Sequence, residues 1–174
     1  MVKSCVNSFT SSCLRGLSKT ASTLMIRGAS KEVERICSGT QNRTELIQHT
    51  GCLNHQKDEL DKCMSEYILA VDGLERAAVK DKIPGSCCTF YSFSQCVDQQ
   101  LLLADRVMCP ETSRLYISQM MSTFASDVLN LLCRQTPKGS PACKHLQLGS
   151  RGRTSKSLSI LVPFVKAFDS FHPA

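Results

Sequence analysis

The chain has 174 residues, enough for one ordinary domain with a hydrophobic core, and its formal net charge is +6. All of that excess lies after residue 133, because residues 1–133 carry fourteen basic and fourteen acidic side chains. The neutral body implies no basic face for a nucleic-acid backbone, and no apolar run approaches the roughly 20 residues that a transmembrane helix needs.

Three shorter helices are predicted in the N-terminal part of the chain, over residues 2–15, 30–38 and 43–54. Ser30 is expected to be the N-cap of the second, with Glu32 near its positive end. Residues 56–79 then place apolar side chains at i, i+3 and i+4 with charges on the opposite side. This pattern predicts a longer amphipathic helix.

Two long helices are predicted in the second half. Pro84-Gly85 indicates a break, after which a helix covers about residues 87–106. Pro110 and Glu111 suit a first helical turn, and the helix that they begin runs without Gly or Pro to Leu132. Because no period-2 run of β-branched residues occurs, the predicted fold class is all-α, a disulfide-crosslinked helical bundle.

The composition changes near residue 146, so we place the cysteine-rich helical domain at 1–146 and a tail at 147–174. The segment QLGSRGRTSKS, residues 147–157, is polar and basic, which predicts a flexible segment. The apolar LSILVPFVKAF that follows predicts a short, loosely docked terminal helix.

The cysteine content favours an oxidising compartment, because eleven cysteines exceed ordinary cytosolic usage. We therefore predict a secreted, extracellular protein, with Asn42 of Asn42-Arg43-Thr44 as a candidate glycosylation site. No apolar leader follows Met1, so we expect the sequence to be N-terminally incomplete, with a signal peptide upstream. All the cysteines are disulfide candidates: Cys5, Cys13, Cys37, Cys52, Cys63, Cys87, Cys88, Cys96, Cys109, Cys133 and Cys143.

Helix geometry restricts how these cysteines pair. Cys88 and Cys96 are eight residues apart, about 12 Å along a helix, whereas a disulfide needs Cα atoms within about 7 Å. Bridges must therefore run between helices or into loops, and their connectivity stays open. The odd count leaves at least one thiol over, which is free, links two chains into a dimer or pairs with a cysteine outside this sequence.

Cysteine spacing indicates an internal repeat. Three intervals each enclose 23 residues: Cys13–Cys37, Cys63–Cys87 and Cys109–Cys133. Another cysteine precedes each interval at a shorter distance, which is typical of three helical repeats of about 45–50 residues. Chance spacing within a helical protein is the alternative.

The stretch GSCCTFYSFSQC, residues 85–96, raises the question of catalysis. A Cys-Cys pair opens the catalytic helix of secreted phospholipases A2, but Tyr91 and Ser92 stand where that helix needs its His and Asp. A phenol and a hydroxyl cannot replace the imidazole that activates water. We predict no enzyme activity, no catalytic residue and no cofactor.

One group of residues has the spacing of metal ligands. His49, Cys52 and His55 stand three apart in HTGCLNH, and Cys63 follows. No second C-x2-C supports a metal centre, so we assign no metal site and treat both cysteines as disulfide partners.

Three stretches between residues 50 and 133 resemble a known family in their spacing of cysteines and helices. They are GCLNHQKDELDKCMSEYILAV, CCTFYSFSQCV and MCPETSRLYISQMMSTFASDVLNLLC. They are similar to the arthropod haemolymph-glycoprotein-like family of secreted, cysteine-rich helical proteins. The resemblance implies an extracellular, all-helical protein without catalytic residues, and it transfers no site residue.

Two functions are compatible with these features. The first is an extracellular, disulfide-stabilised helical module that binds an unknown extracellular protein. The second is a carrier of a hydrophobic small molecule or lipid in extracellular fluid. The interior of such a carrier would be lined by Met120, Met121, Phe124, Phe90 and Phe93, although the same stripe also fits an ordinary core.

Overall fold

The computed structural model describes residues 2–145 and 159–169, and these residues form helices and no β-strand. The all-α, disulfide-crosslinked fold predicted from the sequence is confirmed. A short 3₁₀ turn, Leu74–Arg76, follows the fourth helix. The helices are α1 (Val2–Cys13), α2 (Gly16–Cys37), α3 (Thr40–His55), α4 (Lys57–Gly73), α5 (Val79–Leu103), α6 (Glu111–Leu132), α7 (Ala142–His145) and α8 (Leu161–Asp169).

Helix α6 begins and ends where its local signals place it. Pro110 is extended and occupies the N-cap, and Glu111 provides an acidic side chain in the first turn. Both features favour a helix start, since Pro has no N–H to leave unpaired and the carboxylate faces the positive helix end. The helix then runs to Leu132, as predicted.

The prediction of a short helix over residues 30–38 is wrong, because those residues are the second half of the 22-residue helix α2. Its start is marked by Gly16, whose φ of 51° is a left-handed conformation that glycine adopts without strain. Ser30 therefore lies inside the helix and is not an N-cap. Glu32 is likewise distant from the helix start.

The predicted break at Pro84-Gly85 is also wrong, because α5 continues through Pro84 from Val79 to Leu103. Proline disfavours a helix interior, but Pro84 lies in the second turn, close to the start. The residues after it, Gly85 to Thr89, are all buried, and two of them form disulfides. Tertiary packing and the disulfides therefore keep α5 continuous despite the helix-breaking tendency of Pro84-Gly85.

Four disulfides crosslink the helices, with paired Cα atoms 4.6–5.8 Å apart. Three of them start on α5 and reach α4, the end of α6 and α7. The fourth ties α3 to the turn before α6. All four join different elements, as helix geometry requires; the pairs are Cys52–Cys109, Cys63–Cys96, Cys87–Cys133 and Cys88–Cys143.

The remaining cysteines, Cys5, Cys13 and Cys37, are free and exposed. The first and third of the equal cysteine intervals enclose the single helices α2 and α6. The second interval is divided among α4, the 3₁₀ turn and the start of α5. The equal intervals therefore do not correspond to three equal helical units.

The apolar segment near the C-terminus forms a helix as predicted, but this helix, α8, belongs to the main core and is not loosely docked. Phe164, Ala167 and Phe168 are at most 4% exposed and pack with Ala21, Val71 and Leu74 of the preceding helices and turn. Asp169 accepts a hydrogen bond from the buried Ser18 hydroxyl of α2. The basic segment 147–157 lies outside the described residues.

We expect an alkylating reagent to label three cysteines per chain in denatured, non-reduced protein, because only Cys5, Cys13 and Cys37 are free. Intact-mass measurement before and after reduction counts the labels, and peptide mapping locates them. Labelling of all the cysteines would contradict the disulfide framework. A dimer band on a non-reducing gel would identify an intermolecular bridge through one of the three.

We expect Gly28→Ala to lower the free energy of unfolding by about 1–3 kcal/mol, because overpacking forces neighbouring groups apart. A Cβ at Gly28 would lie 2.5 Å from the Phe124 carbonyl oxygen, where α2 crosses α6. Denaturant unfolding measures the change. Gly51→Ala is the matched control, since nothing lies within 4 Å of its Cβ and helix propensity predicts a gain of up to about 1 kcal/mol. Equal stability of Gly28→Ala and the unmodified protein would contradict this close contact.

Candidate functional site

A cavity of about 460 Å³ lies among α2, α4, α5, α6 and α8, and we call it the apolar cavity. Its surface is almost entirely carbon and sulfur. Met64 of α4 and Leu161 of α8, which are 37% and 40% exposed, mark its rim. A partly open, apolar space of this size suits an apolar small molecule better than water, which needs polar partners.

The five residues predicted to line an interior all line this cavity. Phe90 and Phe93 come from α5, and Met120, Met121 and Phe124 come from α6. Methionine is flexible and polarisable, so its side chain adapts to ligands of different shape. The α2 wall was not predicted; it contributes Met25, Ile26 and Ala29.

An aromatic cluster forms one wall of the cavity. Tyr67 of α4 stacks on Phe93 with ring centroids 4.8 Å apart, and its ring meets Phe90 edge-on at 6.2 Å. Both arrangements are favourable for aromatic rings. Burial raises the pKa of the Tyr67 phenol above its ordinary range, because the ionised form is poorly solvated there.

Two disulfides join three of the cavity walls. Cys63–Cys96 links α4 to α5, and Cys87–Cys133 links α5 to the end of α6. Cys133 itself lines the cavity. The relative positions of these three helices are therefore fixed by covalent bonds as well as by packing.

A second, polar space of about 180 Å³ lies between α2, α3 and α6, and we call it the polar recess. Glu32 is 2% exposed and accepts two hydrogen bonds from Arg35, at 3.0 Å from Nε and 2.7 Å from Nη2. Arg35 Nη1 lies 3.9 Å from a Glu45 carboxylate oxygen. Hydrogen bonding to Glu32 and the nearby Tyr116 hydroxyl raise the pKa of Arg35 above its ordinary range.

The Tyr116 hydroxyl of the polar recess is buried and makes no hydrogen bond of good geometry within the described residues. Its ring packs on His49 of α3, with ring centroids 4.3 Å apart. The sequence analysis did not find the recess. A signal was present in the i, i+3 spacing of Glu32 and Arg35, but nothing local linked this pair to Tyr116.

The residues with metal-ligand spacing do not form a metal centre. Cys52 and Cys63 form disulfides with partners on different elements, and His49 Nδ1 lies 2.9 Å from the Ser113 hydroxyl. Within residues 2–145 and 159–169, no group of three or more His, Cys, Asp or Glu side chains could hold a metal ion. His55 is exposed at the end of α3.

Tyr91, Ser92 and Asn42, which the sequence analysis singled out, lie in ordinary helical positions. Tyr91 donates a hydrogen bond to the Thr136 carbonyl at 3.2 Å, and Ser92 is exposed on the same helix. Asn42 donates its side-chain N–H to the Arg35 carbonyl at 2.7 Å, close to the end of α2. Nothing in this arrangement resembles an acid–base pair around Tyr91.

Comparisons of the chain with protein-family models, curated proteins and solved structures found no match. Among the helices that the structure describes, none combines the length and the apolar character that crossing a membrane requires.

We expect the Tyr67 phenol to ionise only well above pH 10, because burial raises its pKa in the folded protein. In the unfolded chain the same phenol ionises near pH 10. The stabilisation of the folded state by the protonated phenol is therefore complete below pH 10, and it is lost as the pH rises from there through the higher pKa of the folded protein. Ultraviolet titration of thiol-alkylated protein measures the ionisation. Tyr67→Phe should remove a phenol that ionises well above pH 10, and loss of a phenol that ionises near pH 10 instead would contradict the burial of Tyr67.

Proposed function

We propose that this protein is an extracellular carrier that binds a hydrophobic small molecule or lipid chain in the apolar cavity. The observation that carries the proposal is the size and chemistry of that cavity. Its volume of about 460 Å³ lies within the range of small-molecule sites, about 300–1,000 Å³, and its lining is almost wholly apolar. Of the two functions considered from the sequence, the carrier is favoured by this geometry.

The apolar cavity is a partly open cleft between helices and not a closed void inside the core. Ala29 and Ala125 stand on facing helices at the cavity, where larger apolar residues would fill it. The presence of small residues on both walls supports a space kept for a ligand.

The compartment is part of the proposal. Four disulfides that join different helices are typical of proteins that fold in an oxidising environment, which supports secretion. The proposed relation to the haemolymph-glycoprotein-like family, which rests on the spacing of cysteines and helices in this chain, also implies an extracellular protein. Glycosylation of Asn42 stays a prediction; a glycan on its amide nitrogen would replace one of the hydrogen bonds to Arg35 and Ser38.

A second candidate function, binding of another extracellular protein, is favoured by an exposed apolar surface at the end of α5. Leu102, Leu103 and Val107 are 65%, 80% and 87% exposed, and Met108 beside them is 46% exposed. Contiguous apolar side chains of this kind are common in protein-binding surfaces.

Native mass spectrometry separates the two functions, because a carrier retains a co-purifying lipid and an interaction module does not.

We expect the double substitution Ala29→Leu and Ala125→Leu to weaken binding of a fluorescent N-phenylnaphthylamine probe by at least about tenfold, or about 1.4 kcal/mol. The added side chains occupy the apolar cavity, which both residues line. Fluorescence titration measures the affinity. Filling a cavity should also leave the free energy of unfolding unchanged or raise it, which distinguishes a blocked cavity from a misfolded protein.

The matched control is Ala78→Leu, because Ala78 is exposed and lies outside the cavity. It should bind the probe like the unmodified protein. Absence of probe binding to the unmodified protein, or equal binding by the filled variant, would reject the carrier function.

A further inference from the structure

Helix α1 exposes two free thiols and an aromatic ring in one row. Cys5, Phe9 and Cys13 follow one another at intervals of four residues, which places their side chains on one face of the helix. Both cysteines are free and exposed, and Phe9 is 55% exposed. We call this row the thiol face. The other exposed residues from 4 to 13 are all serine or asparagine, so the thiol face is the apolar part of that exposed surface.

A neighbouring row of residues attaches α1 to the rest of the protein. Val6 is partly buried, and Thr10 and Leu14 are buried. Within the described residues, the contacts of α1 are chiefly with α2. Adjacent residues of a helix are about 100° apart, so the packed row lies about a quarter turn from the thiol face. The rest of the chain therefore lies beside the thiol face and does not cover it.

A second copy of the chain is the partner that this row fits. Rows of residues four apart are inclined about 26° to the helix axis, so two α1 helices that cross at about 50° bring their rows face to face. Residues 4–13 contain no charged side chain, so two thiol faces meet without repulsion between like charges. A contact between identical surfaces closes on itself by twofold symmetry, which limits the assembly to a dimer.

The position of α2 beside α1 decides between the two orientations of such a pair. In a parallel pair the twofold axis runs along the helices, so the remainders of the two chains lie on opposite sides. In an antiparallel pair both remainders lie on the same side. Two domains with radii of gyration of about 16 Å would overlap there, because the helix axes are only about 8–10 Å apart. The parallel pair therefore places each residue of the thiol face opposite its own copy.

Disulfide bonds are needed to hold this pair together. Helix α1 has 12 residues and is about 18 Å long, so its thiol face buries far less than the roughly 1,200–2,000 Å² of a stable noncovalent interface. The geometry suits covalent links, since helix axes about 8–10 Å apart bring facing Cα atoms within the limit of about 7 Å for a disulfide.

We propose that two copies of this protein are linked through their thiol faces by the disulfides Cys5–Cys5 and Cys13–Cys13, with the Phe9 rings packed between them. The oxidant is a small-molecule disulfide of the glutathione class. A protein thiolate attacks it and releases one glutathione thiol, and the facing cysteine of the second chain then displaces the other. Each bridge thus oxidises two protein thiols and reduces one glutathione disulfide to two thiols. The inference goes beyond the carrier function and does not depend on the apolar cavity.

The experiment incubates the full chain with oxidised and reduced glutathione, stops the reaction by alkylation and measures the mass without reduction. The unmodified protein should double in mass, and the number of alkylated cysteines should fall from three per chain in the monomer to one, Cys37, in the dimer. Combined Cys5→Ser and Cys13→Ser is the matched control. It keeps Cys37 as an exposed thiol outside the thiol face, and it should stay monomeric.

Single substitutions test the orientation of the two helices. In a Cys37→Ser background, Cys5→Ser and Cys13→Ser should each still dimerise, because each leaves one bridge of the parallel pair. Chymotrypsin cleaves after Phe9 and so separates the two positions of the unmodified dimer. Mass spectrometry should then find Cys5 linked to Cys5 and Cys13 linked to Cys13.

Three outcomes would overturn the proposal. The first is an unmodified protein that stays monomeric on oxidation. The second is a bridge from Cys5 of one chain to Cys13 of the other, with both single variants monomeric, which would require antiparallel helices. The third is a dimer of unchanged yield in the variant that keeps only Cys37, which would place the link on α2.

Discussion

The structure depends on the covalent attachment of α5 to its neighbours. Cys87, Cys88 and Cys96 of this helix bond to three other elements, so α5 is the common partner of α4, the end of α6 and α7. These bridges close segments of 33–55 residues, and each stabilises the fold by about 4 kcal/mol in the chain-entropy description. Since a whole domain is stable by about 5–15 kcal/mol, the links are comparable to the total.

The same bonds hold the walls of the apolar cavity in place. A cavity lined by apolar groups loses dispersion contacts and would ordinarily be reduced by collapse of its walls. Here α4, α5 and α6 are held by Cys63–Cys96 and Cys87–Cys133, and aromatic stacking of Tyr67 on Phe93 stiffens the wall between two of them. Cysteine pairing and the proposed ligand binding are thus connected, because disulfide bonds replace some of the stabilisation that a denser core would give.

Local chemistry accounts for the features that the sequence analysis predicted correctly. Helix α6 follows from Pro110 and Glu111 at its start and from an unbroken run to Leu132, all of which act within a turn or two of the backbone. The apolar stripe with Met120 and Phe124 follows from helical periodicity. Periodicity does not say whether such a stripe meets another side chain or a space, because that depends on the helices opposite.

The features that were missed depend on contacts between distant parts of the chain. Pro84 is a local break signal, but the burial of the residues after it and the bridges of Cys87 and Cys88 keep α5 continuous. The polar recess unites Arg35 with Tyr116, 81 positions later in the chain. Docking of α8 was underestimated because the segment is short. In the fold, Phe164 and Phe168 are buried in a core cluster that includes residues of α2 and α4.

The three free cysteines all precede residue 38, and every bridge begins at residue 52 or later. No disulfide therefore attaches the N-terminal helices α1 and α2 to the remainder, even though α2 supplies one cavity wall. Of the cavity walls formed by α2, α4, α5 and α6, that of α2 keeps its position by the backbone and by packing, chiefly against α6 and α8. A reducing agent would therefore break bonds that hold the other three walls and leave the contacts of this one intact.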